Sequence, residues 1–177
     1  MTGTLTTLLL LAIPSLALGQ TAPSAAPAPA AAPRPCAAPE HRQFDFWLGN
    51  WEVSTAKGIA GTNRITKLFD DCGLREEYAT PKGYSGTSFN VYDASRKVWH
   101  QTWVDNQGGL LNLEGGLRNG SMVLEGRHAN PKGGQQIDRI TWTPNADGSV
   151  RQHWEVSTDE GGSWTTAFDG TYRRAGR

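Results

Sequence analysis

The sequence predicts an all-β protein: a single antiparallel up-and-down β-barrel of about ten strands, entered through a short N-terminal plug segment. Three observations carry this. The chain of 177 residues holds 21 Gly and seven Trp, a composition of tight turns and large β-favouring side chains. Short segments alternate apolar and polar residues, the period of a strand with one buried face. Connections between them are short and rich in Gly, Asn, Asp and Pro, and no segment shows the periodicity of a helix of two turns.

The folded part opens on Phe44-Asp45-Phe46-Trp47-Leu48-Gly49-Asn50-Trp51-Glu52-Val53, three aromatic side chains and a Leu gathered before one Gly, running into an alternating stretch. We read Phe44 to Leu48 as the plug and 51–55 as the first strand. A turn with two glycines follows at 57–61. The second strand is 63–69 and the third is 74–80, where Glu76 and Glu77 stand beside Tyr78. Pro81-Lys82-Gly83 turns the chain into a fourth strand, 84–92. Asp93-Ala94-Ser95-Arg96-Lys97 leads to the fifth, 98–104, and Asp105-Asn106-Gln107-Gly108 to the sixth, 110–117. Asn119-Gly120 is the strongest turn signal, since Asn-Gly fits the two positive φ angles of a type I′ hairpin. Asn119-Gly120-Ser121 also matches a glycosylation sequon; the flanking strands favour the turn. The seventh strand is 122–128, the eighth 137–143, ended by Pro144, the ninth 150–157 and the tenth 165–172. A ten-strand meander of short connections closes on itself, which removes exposed edges. The runner-up, a β-sandwich, needs longer crossings than these.

The first segments are read as processing and spacing. Residues 5–18 are apolar, too short to span a bilayer comfortably, and interrupted by Pro14; Ala17-Leu18-Gly19 has the small-x-small pattern of a cleavage site. The expectation is a signal peptide over 1–19, an Ala/Pro-rich linker over 20–35, and a barrel domain over 36–177. The mature protein is then exported, periplasmic or secreted, with no transmembrane domain. Cys36 and Cys72 both fall in the exported part, and an oxidising compartment favours a disulfide between them. Basic and acidic residues balance at 17 each, which excludes the electrostatic footprint of a nucleic-acid partner. The four His residues lack metal-ligand spacing, and no cofactor fingerprint is present, so neither metal nor cofactor is expected.

Period-two logic sorts the strands into faces. Trp99, Gln101 and Trp103 share one face of the fifth strand, Ile140 and Trp142 one face of the eighth, Gln152 and Trp154 one face of the ninth, and Phe168 and Tyr172 one face of the tenth. Placed inside together with Trp51, they make an aromatic interior with two amides. Trp51, Trp99, Gln101, Trp103, Trp142, Gln152 and Trp154 are therefore the candidate ligand-binding residues: rings supply contact area, and amides orient a partly apolar small molecule. The alternative is a filled barrel in which the same rings simply pack. The other face carries the candidates for general acid–base chemistry, His100, Arg139 and Glu155, with Glu114 or Asp169 as a further acid.

Several stretches resemble known proteins. The opening Phe44–Val53 motif, Trp99-His100-Gln101-Thr102-Trp103-Val104-Asp105-Asn106, Arg139-Ile140-Thr141-Trp142 and Arg151-Gln152-His153-Trp154-Glu155 resemble a family of exported bacterial lipocalin-like domains of unknown function. That resemblance implies the fold and leaves activity open. Gly49-Asn50-Trp51 is similar to the Gly-x-Trp that opens calycin barrels, where the Trp closes one end. Nitrobindin-like barrels bind haem through a His near the C-terminus; here the last His is His153, a departure that argues against haem. Ser157-Thr158-Asp159-Glu160-Gly161-Gly162-Ser163-Trp164 resembles an Asp-box, whose carboxylate ties a hairpin together. One box in a short domain does not make a sialidase propeller.

Three functions follow as expectations. The first is an exported barrel binding a hydrophobic or amphipathic small molecule. The second is a barrel enzyme, isomerase or hydrolase, using His100, Arg139 and Glu155. The third is an envelope protein without a ligand, for which Trp47 and Trp164 left uncovered would be the sign.

Overall fold

The computed structural model describes Gly3, residues 34–130 and residues 133–176. The expected signal peptide over 1–19 (Gly3 aside) and residues 20–33 of the expected linker lie outside the described residues. Ten antiparallel strands form a closed barrel: β1 (Gly49–Thr55), β2 (Gly58–Leu68), β3 (Gly73–Ala79), β4 (Ser85–Asp93), β5 (Val98–Asp105), β6 (Leu110–Arg118), β7 (Ser121–Ala129), β8 (Gln135–Pro144), β9 (Val150–Ser157) and β10 (Thr165–Arg174). Each pairs with its sequence neighbours, and β1 pairs with β10 to close the ring. Among the described residues no helix is long and apolar enough to cross a membrane.

Strand order and number agree with the meander read from the sequence. The largest difference is at the first hairpin. Gly58 to Thr62 belong to β2, and the reversal is made by Ala56 and Lys57 alone, between the paired Thr55 and Gly58. The register slips between Val53 and Ser54, a bulge that absorbs the extra residue and bends the strand. The Asn-Gly turn is as expected, with φ +50° at Asn119 and +81° at Gly120.

Two short 3-10 turns, Pro39–Arg42 and Asp45–Trp47, carry the chain across one end of the barrel. The second drops Phe44 and Trp47 into it, both 0% exposed. Their rings stack 4.9 Å apart; Phe44 meets Trp99 and Trp142 edge-on at 5.7 and 5.2 Å. The indole N–H of Trp51 donates to the Trp47 carbonyl at 2.8 Å. This is the plug, and it fills the half of the barrel formed by the start of β5 and the ends of β8 and β10.

Cys36 and Cys72 form a disulfide, Cα atoms 5.1 Å apart. It ties the plug's leading segment to the β2–β3 turn. Ion pairs reinforce the tie: Arg42 and Lys67 each reach both Asp45 and Asp71. The Asp-box closes the β9–β10 hairpin, with Asp159 accepting from the Ser163 backbone N–H at 2.8 Å and from the hydroxyls of Ser157 and Ser163 at 2.7 Å. These bonds hold its carboxyl down at about 2.

Candidate functional site

Strand alternation puts one side chain in two inside, and the plug fills only one half of that interior. In the other half a cavity of about 190 Å³ remains. It lies toward the end formed by the β3–β4, β5–β6 and β9–β10 connections. Its wall is largely aromatic: Tyr78, Tyr84, Trp103, Trp142, Trp154 and Phe168, with Tyr172 deeper. Trp103 lies flat against Gly86 on the neighbouring strand, where a Cβ would collide with its ring. The glycine makes the space the indole occupies.

One carboxylic acid lines the cavity, Glu76 on β3, 5% exposed. Asn63 on β2 donates to Glu76 Oε1 at 2.6 Å, and the Ser88 hydroxyl on β4 donates to Oε2 at 2.7 Å. Burial raises its carboxyl to about 7 against these two bonds, which favour the charged form. The network continues through Asn90 to Ser88 at 2.9 Å and Gln101 to Asn90 at 2.8 Å. On the opposite side the Tyr172 hydroxyl donates to Gln152. Burial, and then the nearby Glu76, push Tyr172 well above its ordinary range.

At the rim, the carboxylates sit behind the rings. Trp154 donates its indole N–H to Asp138, itself fully buried, at 2.7 Å. The Tyr84 hydroxyl and the Trp103 indole N–H both donate to Asp105 Oδ2, at 3.0 and 3.3 Å. Burial and the Asp105 carboxylate push Tyr84 up to about 12.

Five of the seven residues expected to bind a ligand line this cavity together: Gln101, Trp103, Trp142, Gln152 and Trp154. The structure places Trp51 and Trp99 elsewhere, in the filled half beneath the plug, where Trp99 donates its indole N–H to Gln43 at 3.2 Å. Filled and open interiors thus both occur, one in each half. His100, Arg139 and Glu155 are on the outer face. His100 is 3.1 Å from Glu114 on β6; Arg139 pairs with Glu125 at 2.6 Å and covers the Trp164 ring at 3.8 Å; Glu155 lies 3.6 Å from His153. Arg139 and Glu155 are cross-strand neighbours, while His100 is on β5, three strands from β8. Trp47 is buried, and Trp164 is half-buried beneath Arg139, so neither is an uncovered aromatic. Among the described residues no cluster of three or more His, Cys, Asp or Glu is placed to hold a metal ion.

Glu76 and Asp138 are the interior acids that sequence reasoning passed over. The phase was present: Glu76 shares a face with Leu74 and Tyr78, and Asp138 with Ile140 and Trp142.

Compared with known proteins, the chain matches no family model and no curated protein. The site therefore has to be read from its own chemistry.

Glu76 also makes folding pH-dependent. In the folded protein its carboxyl keeps its proton up to about 7, whereas the ordinary value is 4.5. Between those limits the folded state binds more protons than the unfolded one. The stability contributed is complete below about pH 4.5 and is lost as the pH rises through about 7. A shift of this size corresponds to about 3 kcal/mol. Glu76→Gln should remove that loss, so the variant gains on the wild type by up to this amount between pH 4.5 and 8. Urea unfolding of both proteins across the range measures it; parallel curves would show that Glu76 does not titrate there.

Proposed function

We propose that this chain is an exported lipocalin-like barrel that binds a small amphipathic molecule in the half of its interior left open by the plug. The observation that carries the reading is the cavity of about 190 Å³, walled by rings and floored by a buried, hydrogen-bonded carboxyl group. Core residues left over from packing do not call for an acid there, because burying a carboxyl group costs several kcal/mol unless something compensates it. A site that orients a ligand does call for a few polar groups on an apolar wall. The disulfide supports export, since such bonds persist in oxidising compartments. The alternative enzyme reading draws less support: His100, Arg139 and Glu155 point away from the cavity, and His100 is engaged with Glu114 rather than with the other two.

The test is native against denaturing mass spectrometry of the mature protein purified from its exporting host. A native mass excess that disappears on denaturation is the expected result. A second arm uses Gln152→Ala, which removes a wall amide: the adduct or a titrated ligand should bind about tenfold or more weaker, the cost of one lost hydrogen bond to a buried polar group, with the fold intact and the melt lowered by a few degrees as the Tyr172 hydroxyl loses its acceptor. Equal binding by Gln152→Ala would exclude that wall from the site.

A further inference from the structure

We propose that the cavity takes a small organic cation, a protonated amine carrying an apolar body, with Glu76 as its counter-ion. The proposal rests on the binding reading above and names the class of ligand. Its basis is the chemistry of the groups that line the cavity and of the carboxylates behind its rings. Of the lining residues Glu76 alone carries a carboxyl group, and none is Lys, Arg or His. The next charges outward are acids too. Asp138 accepts the Trp154 indole N–H, and Asp105 accepts the Trp103 indole N–H and the Tyr84 hydroxyl. Three wall rings therefore turn their polar hydrogens onto carboxylates, and all three line the cavity. Aromatic faces are negative and attract cations, more so when desolvated, and donation to a carboxylate makes each ring more electron-rich.

An anionic ligand meets the opposite situation. It would bring a second negative charge beside Glu76 with no basic group to offset it. A neutral apolar ligand would strip the remaining water from the carboxyl group and return nothing. An ammonium group satisfies both the carboxylate and the rings. Size sets the rest of the class: about 190 Å³ is a little more than the ~150 Å³ of an apolar cavity that admits benzene, so one ring or a short alkyl chain fits beside the charged head.

A pH dependence follows. The groups facing Glu76 are Asn63 from β2, Ser88 from β4, Tyr172 from β10 and Tyr78 on its own strand. The first two do not titrate, and both tyrosines are raised by burial and by Glu76 itself, so they stay neutral. His128 sits 3.1 Å from Asp138 and does not line the cavity. Glu76 is then the cavity group whose charge changes near neutrality, and a cation binds its ionised form.

Isothermal titration of the disulfide-intact protein with benzylamine, benzyl alcohol and benzoate tests this with three probes of one shape and three charges. Benzylamine should bind at least tenfold tighter than benzyl alcohol at pH 8, and benzoate weakest. Benzylamine should weaken roughly tenfold from pH 8 to pH 6, as Glu76 takes up its proton. In Glu76→Gln, benzylamine should fall to the level of benzyl alcohol and lose its pH dependence. Benzyl alcohol or benzoate binding as well as benzylamine to the wild type would overturn the cation proposal and leave a binding barrel standing. No heat from any of the three would overturn the cation proposal, and the native mass measurement then decides the binding reading by itself. The wild-type series alone decides the matter if Glu76→Gln proves unstable.

Discussion

Trp47→Ala should lower folding stability by about 3–5 kcal/mol, the range for truncating a fully buried large aromatic. The side chain is 0% exposed and stacks on Phe44, with Trp142 at 5.4 Å and Tyr172 at 6.3 Å. Those partners come from β8 and β10, so the loss is felt across the barrel and not in one turn. The melting temperature should drop by roughly 10–15 °C for a domain of this size. A second consequence separates a plug from ordinary core. Without the Trp47 ring the barrel is open at the end the plug had closed, and water can enter among Trp51, Trp99 and Trp142. Emission of the variant at a temperature where it is folded should be red-shifted and more readily quenched by acrylamide. A drop of only a few degrees with unchanged quenching would mean that the end is closed by something else.

Reduction of the Cys36–Cys72 bond, or replacement of both residues by Ser, should cost about 4 kcal/mol on the chain-entropy account of a loop with this sequence separation, 36 residues. The ion pairs among Arg42, Lys67, Asp45 and Asp71 would remain. They are partly exposed, and exposed pairs contribute little each, so they do not replace the covalent tie. What the bond holds is the segment that delivers Phe44 and Trp47. The reduced protein should therefore resemble Trp47→Ala in quenching as well as in melting temperature. Combining the two changes should give less than the sum, because both release the same segment. Full additivity would show that the bond and the plug act on separate parts of the structure.

The strands were legible because each is half-buried, so alternation marks it and a turn residue ends it. The sequence pattern starts β2 at Asn63 rather than Gly58 for a definite reason. Gly58 and Gly61 look like turn residues, yet Gly61 is in the ladder opposite Val53, and a Cβ there would meet the Ala79 carbonyl and the Tyr78 ring. Close approach, not a turn, demands that glycine. The aromatic faces came out as the alternation placed them. Which half of the barrel is hollow did not, since it depends on how far Phe44 and Trp47 reach in, and the plug has no periodicity. Glu76 escaped for another reason. A glutamate reads as solvent-facing, and the groups that compensate its burial, Asn63 and Ser88, are 13 and 12 residues away on neighbouring strands. Only the register brings the three together.

The pairing of β1 with β10 has a consequence for how the chain reaches this state. Ser54 and Thr171 bond across 117 residues, so ring closure is among the most non-local events in the molecule. Until β10 arrives, β1 and β9 are unpaired strand edges able to capture other chains. Non-local closure is also slow, on the scale of milliseconds to seconds for β-rich domains. A ribosome-bound or translocating chain therefore remains without its native ring for most of its emergence, and the interior with its buried acid takes shape only after the last strand is free. For the export proposed above, that order is an advantage: the chain stays threadable while it crosses, and the ring closes only on the far side.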